Sequence, residues 1–446
     1  MVVSVYSKNL NIFNAEQFKE SVSETSNTKL YFTIGRTLPW ANDAEPWQAN
    51  TSVTSLFEVY RNMIAAKKIT GNDMHHCIPR NDWAQGVVYD QYDHCTCSLM
   101  LFNPNVKFFM VTPNWDVYKC ISNNDGAPSQ NVPIQKITTG MVTEVDGYTW
   151  KYMYTVSAAE QLRYTTDQYI PVKTLNNDDG SLQWQVQDAA VDGSIDYIQV
   201  VDGGEYYYDN TKIWLSITGD GTGANAFVTT NVMTGKISSV VIDIPGSGYT
   251  YANVRVFDDS TSGAGAYLRP IISPPGGRGS DPLRELGGSN LIINPRLRYD
   301  ESNKFPTSTD FRQISLIKDP LVYASTGTMS NAAVSQTTNL TLSGVGDDDF
   351  LLDETVYQGV SVATSSFSAT VVDWDGVSLI KLSNVTGSLE AKTLIGESSG
   401  ASGTVSVPYT LPELHPNSGQ LLYIDDIQPI TRSSDQIEDF KIVLKF

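Results

Sequence analysis

Residues 31–40 read Tyr31-Phe32-Thr33-Ile34-Gly35-Arg36-Thr37-Leu38-Pro39-Trp40, and this stretch decides the fold class. Aromatic and β-branched residues run into Gly35, a composition that favours a strand. Gly35 admits backbone angles that other residues avoid, while Pro39 fixes its own φ and bars the helical region for Leu38. A strand ending in a short, stiff turn is predicted, with Arg36 and Trp40 projecting from it.

The same pattern recurs outward along the chain. Residues 106–112 and 117–121 read as a strand pair around Pro113 and Asn114. Tyr148, Trp150, Tyr152, Tyr154 and Val156 alternate with smaller or polar residues, giving a period-two strand with one aromatic face. Strands are also predicted over 291–293, 311–317 and 421–424. Phe440, Ile442, Leu444 and Phe446 form a last strand that closes the main sheet. Helical signals are few. Residues 11–22 read as a helix capped by Asn14, with Phe13 and Phe18 as a staple pair. A second helix starts near Thr51; Val53, Leu56, Phe57, Tyr60 and Ile64 fall at helical spacing, Lys67 and Lys68 suit its end, and Gly71 stops it.

Two segments depart from this body. In 186–272, Ile195, Ile198, Val200, Gly204 and Tyr207 return as Ile237, Val240, Ile242, Gly246 and Tyr249, and Gly221, Gly223 and Ala224 return as Gly263, Gly265 and Ala266. That is a duplicated small β unit. In 325–411 the composition shifts to Ser, Thr, Gly, Val and Asp, and residues 350–356 resemble 389–395, a second and weaker duplication. The predicted architecture is mainly β: a β-sandwich body with a few short helices, built from 1–185, 273–324 and 412–446, with two inserted β modules at 186–272 and 325–411.

The 446 residues carry 49 acidic and 30 basic side chains, a formal net charge of −19. Such a surface repels phosphate, which argues against nucleic acid and anionic membrane as partners. The segment 1–10 lacks the pattern of a secretory leader, and no apolar run is long enough to span a bilayer. Four cysteines in this length do not make a disulfide framework, which fits synthesis in a reducing cytoplasm.

Several pieces, in order, resemble one family. They are Phe32-Thr33-Ile34-Gly35-Arg36 with Pro39-Trp40, Ile78-Pro79-Arg80 with Asp82-Trp83, and Gly147-Tyr148-Thr149-Trp150-Lys151-Tyr152. Phe311-Arg312-Gln313-Ile314-Ser315 to Asp319-Pro320-Leu321 follows, and then Ser418-Gly419-Gln420 to Tyr423, Pro429-Ile430 and the strand 442–446. Together they resemble the baseplate wedge protein of T-even-type contractile-tailed bacteriophages that forms a dimer at the wedge periphery. The resemblance implies a virion protein of the tail baseplate: a homodimer attached to other wedge proteins that supports sheath contraction, without catalysis or cofactor and without nucleic-acid binding or membrane insertion. It says nothing about the two inserts. The tyrosines of the first insert, Tyr206, Tyr207, Tyr208, Tyr249 and Tyr251, leave host-glycan binding as the alternative function.

Arg36, Trp40, Arg80, Trp83 and Arg312 lie in the family-like pieces and are candidate interface anchors, because Arg and Trp are favoured at interface centres. The competing reading is internal packing or ion pairing. His75, His76, Cys77, His94, Cys95 and Cys97 are of the types that hold zinc. One residue between Cys95 and Cys97 is tighter than the usual spacing, and no metal is expected; a structural zinc on His75, Cys77, His94 and Cys97 is the alternative. Asp347-Asp348-Asp349 and Asp425-Asp426 lack the ligand pattern of a calcium loop.

Overall fold

The computed structural model describes residues 7–23, 28–103, 105–208, 212–256, 263–301, 304–307, 309–433 and 435–446, the side chain of Ser98 excepted. The protein is mainly β, with several antiparallel sheets, a six-stranded barrel and a few short helices. It divides into two compact units. One comprises Met1–Gln17, His75–Ile293 and Lys441–Phe446; the other comprises Phe18–Met74 and Asn294–Phe440. Each unit contains one of the inserts.

In the second unit the Leu30–Gly35 strand is the middle of a five-stranded sheet. It pairs with Asp310–Lys318 on one side (Phe32 opposite Leu316, Ile34 opposite Ile314) and with Met63–Ile69 on the other. Ala333–Ser335 and Gln420–Thr431 form the two edges. All six residues of the central strand are buried. The turn differs from expectation in one respect: Arg36, with φ of 56°, takes the left-handed conformation, and Gly35 does not. A Cβ on Gly35 would lie 2.7 Å from the Asn62 carbonyl oxygen. Glycine therefore serves a close strand approach at a register irregularity, and the sharp change of direction falls on the next residue.

Both predicted helices shift. The first spans Lys8–Ser23, so Asn14 lies inside it; its first turn closes on Ser7, whose Oγ and carbonyl both accept from the Leu10 amide. The second spans only Val53–Asn62, capped by Ser52, and Met63–Ile69 is a strand. The residues after Asn62 find ladder partners on both sides, and that pairing overrides the helical spacing of Ile64 and the basic pair behind it.

The barrel of this unit is closed by Thr338–Ser343, Leu379–Gly387, Phe367–Trp374, Thr355–Gln358, Thr393–Gly396 and Ser402–Val405 in that cyclic order. In chain order these are two runs of three strands, and exchanging one run for the other reproduces every neighbour relation. That is the arrangement a duplication would leave. Leu340, Val356, Phe367, Val371, Leu382 and Leu394 fill its interior. Ala333–Ser335, within the span expected for this insert, belongs to the five-stranded sheet.

In the first unit, Asp116–Asn123 lies between Phe109–Val111 and Tyr148–Thr155. A second sheet orders Ile442–Lys445, Asn290–Ile293, Met74–Pro79 and Tyr169–Pro171; the last strand of the chain forms one of its edges. Tyr148–Thr155 has two buried faces where the alternation suggested one. Tyr148, Trp150 and Tyr152 join Tyr89, Tyr118 and Val186, while Met153 and Tyr154 join Ile78, Phe109 and Val117. Val186 thus belongs to the aromatic core of the body.

The module of the first unit reproduces its repeat in register. Leu268–Val200, Arg269–Gln199, Pro270–Ile198 and Ile271–Tyr197 are paired as Ala226–Ile242, Phe227–Val241, Val228–Val240 and Thr229–Ser239 are. Leu268 and Ala226 stand 42 positions apart, as do Val200 and Ile242. The register breaks at the equivalent step in each copy, between Tyr267 and Leu268 and between Asn225 and Ala226. Tyr207 covers Gly263 and Tyr249 covers Gly221; a Cβ would lie 2.2 Å and 2.4 Å from the respective rings.

Candidate functional site

Three of the five candidate anchors converge in the second unit. The Arg36 guanidinium carbon lies 3.7 Å from the centre of the Trp40 ring, a cation–π contact. Trp40 donates its indole Nε1–H to the Ile427 carbonyl at 3.1 Å, and Asp43 Oδ1 accepts from its backbone amide at 2.7 Å. Arg312, buried in the neighbouring strand, donates to both Asp43 oxygens at 3.0 and 2.9 Å and to the Thr37 carbonyl. The turn that follows the central strand is therefore clamped from beneath by one arginine and covered by another. The bidentate fork requires arginine; lysine could satisfy only part of it.

Charge follows geometry here. Burial pushes the Arg36 guanidinium down, against the pull of Asp426 and Glu58, and its Nε meets no acceptor among the described residues. The hydrogen bonds from Arg312 hold the Asp43 carboxyl below the usual carboxylate range. Burial pushes Asp426 up, although Gln313 donates to it at 2.7 Å.

Around this cluster lies exposed apolar surface. Trp47, whose ring centre is 6.1 Å from that of Trp40, is 68% exposed, and Phe57 is 48% exposed on the Val53–Asn62 helix. Beside them a cavity of about 230 Å³ runs between Ala49–Thr51 with Leu56 and the segment Leu421–Ile424. Those last residues belong to Gln420–Thr431, an edge strand of twelve residues with no strand on its outer side among the described residues. A long open edge next to exposed aromatic side chains is a template for another chain.

The other two anchors lie in the first unit. Arg80 Nε donates to Asp82 at 2.9 Å and its guanidinium stands 5.0 Å over Trp115. Trp83 donates to Ser129 Oγ at 3.3 Å and packs on the aromatic core. Both make internal contacts. The pairing of Asp43, the exposure of Trp47 and the edge position of the predicted 421–424 strand are not legible in the sequence. The loop 41–50 looked merely polar, and nothing in a strand's own sequence marks it as an edge.

The histidine and cysteine set does not assemble as a group. His75 Nε2 lies 3.6 Å from Glu160, His76 Nδ1 is 2.9 Å from the Gly288 carbonyl, and Cys77 is buried against Tyr164 and Ile292. Among the described residues the possible metal-binding group is Asp93, His94 and Cys95. Arg269 already pairs with Asp93 at 2.6 Å there, and a cation in that position opposes a metal ion.

No family model and no curated protein matches this chain.

Proposed function

We propose that the protein is a structural subunit of a contractile phage tail, part of the baseplate wedge, and that it works by holding copies of itself and other wedge proteins together. The observation that carries this reading is where the family-like pieces of the second unit lie. The piece from Phe32 to Gly35 pairs with Gln313–Leu316, and the strand Asp310–Lys318 pairs in turn with the strand containing Tyr423 and Ile430. Ser418 Oγ accepts from the Leu321 amide at 2.9 Å. Gly419, with φ of 77°, lies so close that a Cβ would stand 2.6 Å from the Lys318 carbonyl oxygen. Segments hundreds of residues apart in the chain thus form half of the five-stranded sheet, from its middle strand to its open edge, with exposed Trp47 in the loop after the middle strand and exposed Phe57 on the Val53–Asn62 helix. Such a surface suits assembly, in which many modest contacts are multiplied by symmetry.

The test is the solution mass of the purified chain by light scattering. A dimer that becomes monomeric in Trp47→Ala or Phe57→Ser, with unchanged circular dichroism, supports the reading. A wild-type monomer at micromolar concentration rejects it.

A second reading, host-glycan binding by the module, has one observation in its favour. Tyr206 holds φ of 67° and is 56% exposed, at the position where the other copy has Gly248 at φ of 72°. An exposed tyrosine in the left-handed conformation, where its counterpart is glycine, bears backbone strain of the kind that clusters at contact sites. Binding of neutral oligosaccharides on a glycan array, lost in Tyr206→Gly, would favour this reading.

A further inference from the structure

The first unit contains a cavity of about 410 Å³ between the start of the Lys8–Ser23 helix, the Cys97–Phe102 helix and the 274–285 segment. Its volume is that of a small-molecule site. The walls are mainly apolar, with Leu101, Phe102, Pro274 and Pro275 among them, and Leu99 at the lining is 69% exposed. Its charged groups are matched with one exception. Glu285 accepts from Lys119 at 2.7 Å and from the Gly279 amide at 2.6 Å. Asp281 pairs with Arg284 at 2.9 Å and accepts from Thr174 at 2.5 Å. Lys8 also lines the cavity, has no acidic partner among the described residues, and lies 5.7 Å over the Phe102 ring.

The backbone adds to this excess of positive charge. Ser7, Lys8 and Asn9 bring the N-terminal end of a 16-residue helix to the lining, and the first turn carries no acidic residue. The first amides of a helix have no partners within it and favour an anion. Burial pushes the Lys8 amine down, as expected of an ammonium without an acid beside it. An apolar chamber with one unmatched cation and a helix N-terminus is complementary to a molecule with an apolar body and a single acidic head.

We propose that this cavity binds an acyl carboxylate, its chain against Leu101, Phe102 and the two prolines and its head at Lys8. The protein supplies its own reporter, because Cys97 lines the same cavity while Cys77 and Cys120 are fully buried. In a Cys95→Ser chain, N-ethylmaleimide labelling of Cys97, followed by mass spectrometry, reads occupancy. Decanoate should slow labelling several-fold, decanol less, and decylammonium least. Lys8→Glu, or Lys8→Ala if the first disturbs the helix, should raise the decanoate concentration needed roughly tenfold, as expected for loss of one charge-assisted contact, and leave decanol unaffected. Absence of protection by decanoate, equal protection by decylammonium, or protection only by phosphatidylglycerol vesicles would overturn the proposal.

Discussion

At the scale of single residues, the buried cations matter most. Lys119 is fully buried, with Glu285 as its counter-charge and its amine 3.9 Å from the centre of the Tyr92 ring. Burial pushes the Lys119 amine down, against the pull of Glu285. Removing one member leaves a charge without a partner, so Lys119→Met should cost about 3–5 kcal/mol in urea unfolding, and Lys119→Met with Glu285→Gln should recover most of it. Additive losses would mean that the two groups do not act as a pair. Lys151 offers a pH test. Burial pushes its amine down to about 8, against the pull of Asp196, while it donates to the Thr138 and Gly140 carbonyls. In the unfolded chain the amine titrates near ~10.4. Between those values the unfolded chain holds the extra proton, so this group makes stability increase as pH rises from about 8 towards about 10. Lys151→Met should flatten that rise; an unchanged slope would assign it to other groups. Neither lysine stands out in the sequence: Lys151 sits in the polar phase of the 148–156 pattern, and Lys119 alternates in phase with Val117 and Ile121. Lys119 meets its counter-charge 166 positions away at Glu285, and Lys151 is enclosed by the Thr138 and Gly140 carbonyls and by Asp196, neighbours that local pattern does not reveal.

At the scale of elements, alternation was legible and termination was not. The strands at 30–35, 148–155 and 310–318 follow from β-branched and aromatic runs. The helix that stops at Asn62 does so because a strand position is open between two partners, a tertiary cause. The 42-residue repeat was legible because glycine and tyrosine recur at fixed offset, and the pairings show why those two types recur together: each tyrosine ring lies where a side chain on the facing glycine would be. Gly221→Ala and Gly263→Ala should each therefore destabilise the module by about 1–3 kcal/mol through overpacking. Similar losses at the two positions, measured by thermal melts, are expected from their equivalence. A neutral result at either would mean that its tyrosine can move aside.

At the scale of the whole molecule, the sequence conveyed the mainly β class and the presence of two duplicated segments; the division into two compact units depends on long-range pairing and was not visible. The barrel closes on itself, leaving no open edge, and has its own apolar interior. Residues 336–407 expressed alone should consequently remain soluble and monomeric and melt cooperatively; an aggregated fragment would mean that the barrel needs the neighbouring sheet. The manner of attachment has a wider consequence. The module leaves and re-enters its unit through paired neighbours, Tyr197 opposite Ile271, and the barrel does so where Asn339 bridges Thr410. To the host chain each insert is therefore no longer than a hairpin loop. Lineages could acquire, exchange or discard such attachments without redesigning the scaffold, and an engineer could use either junction as a socket for foreign cargo.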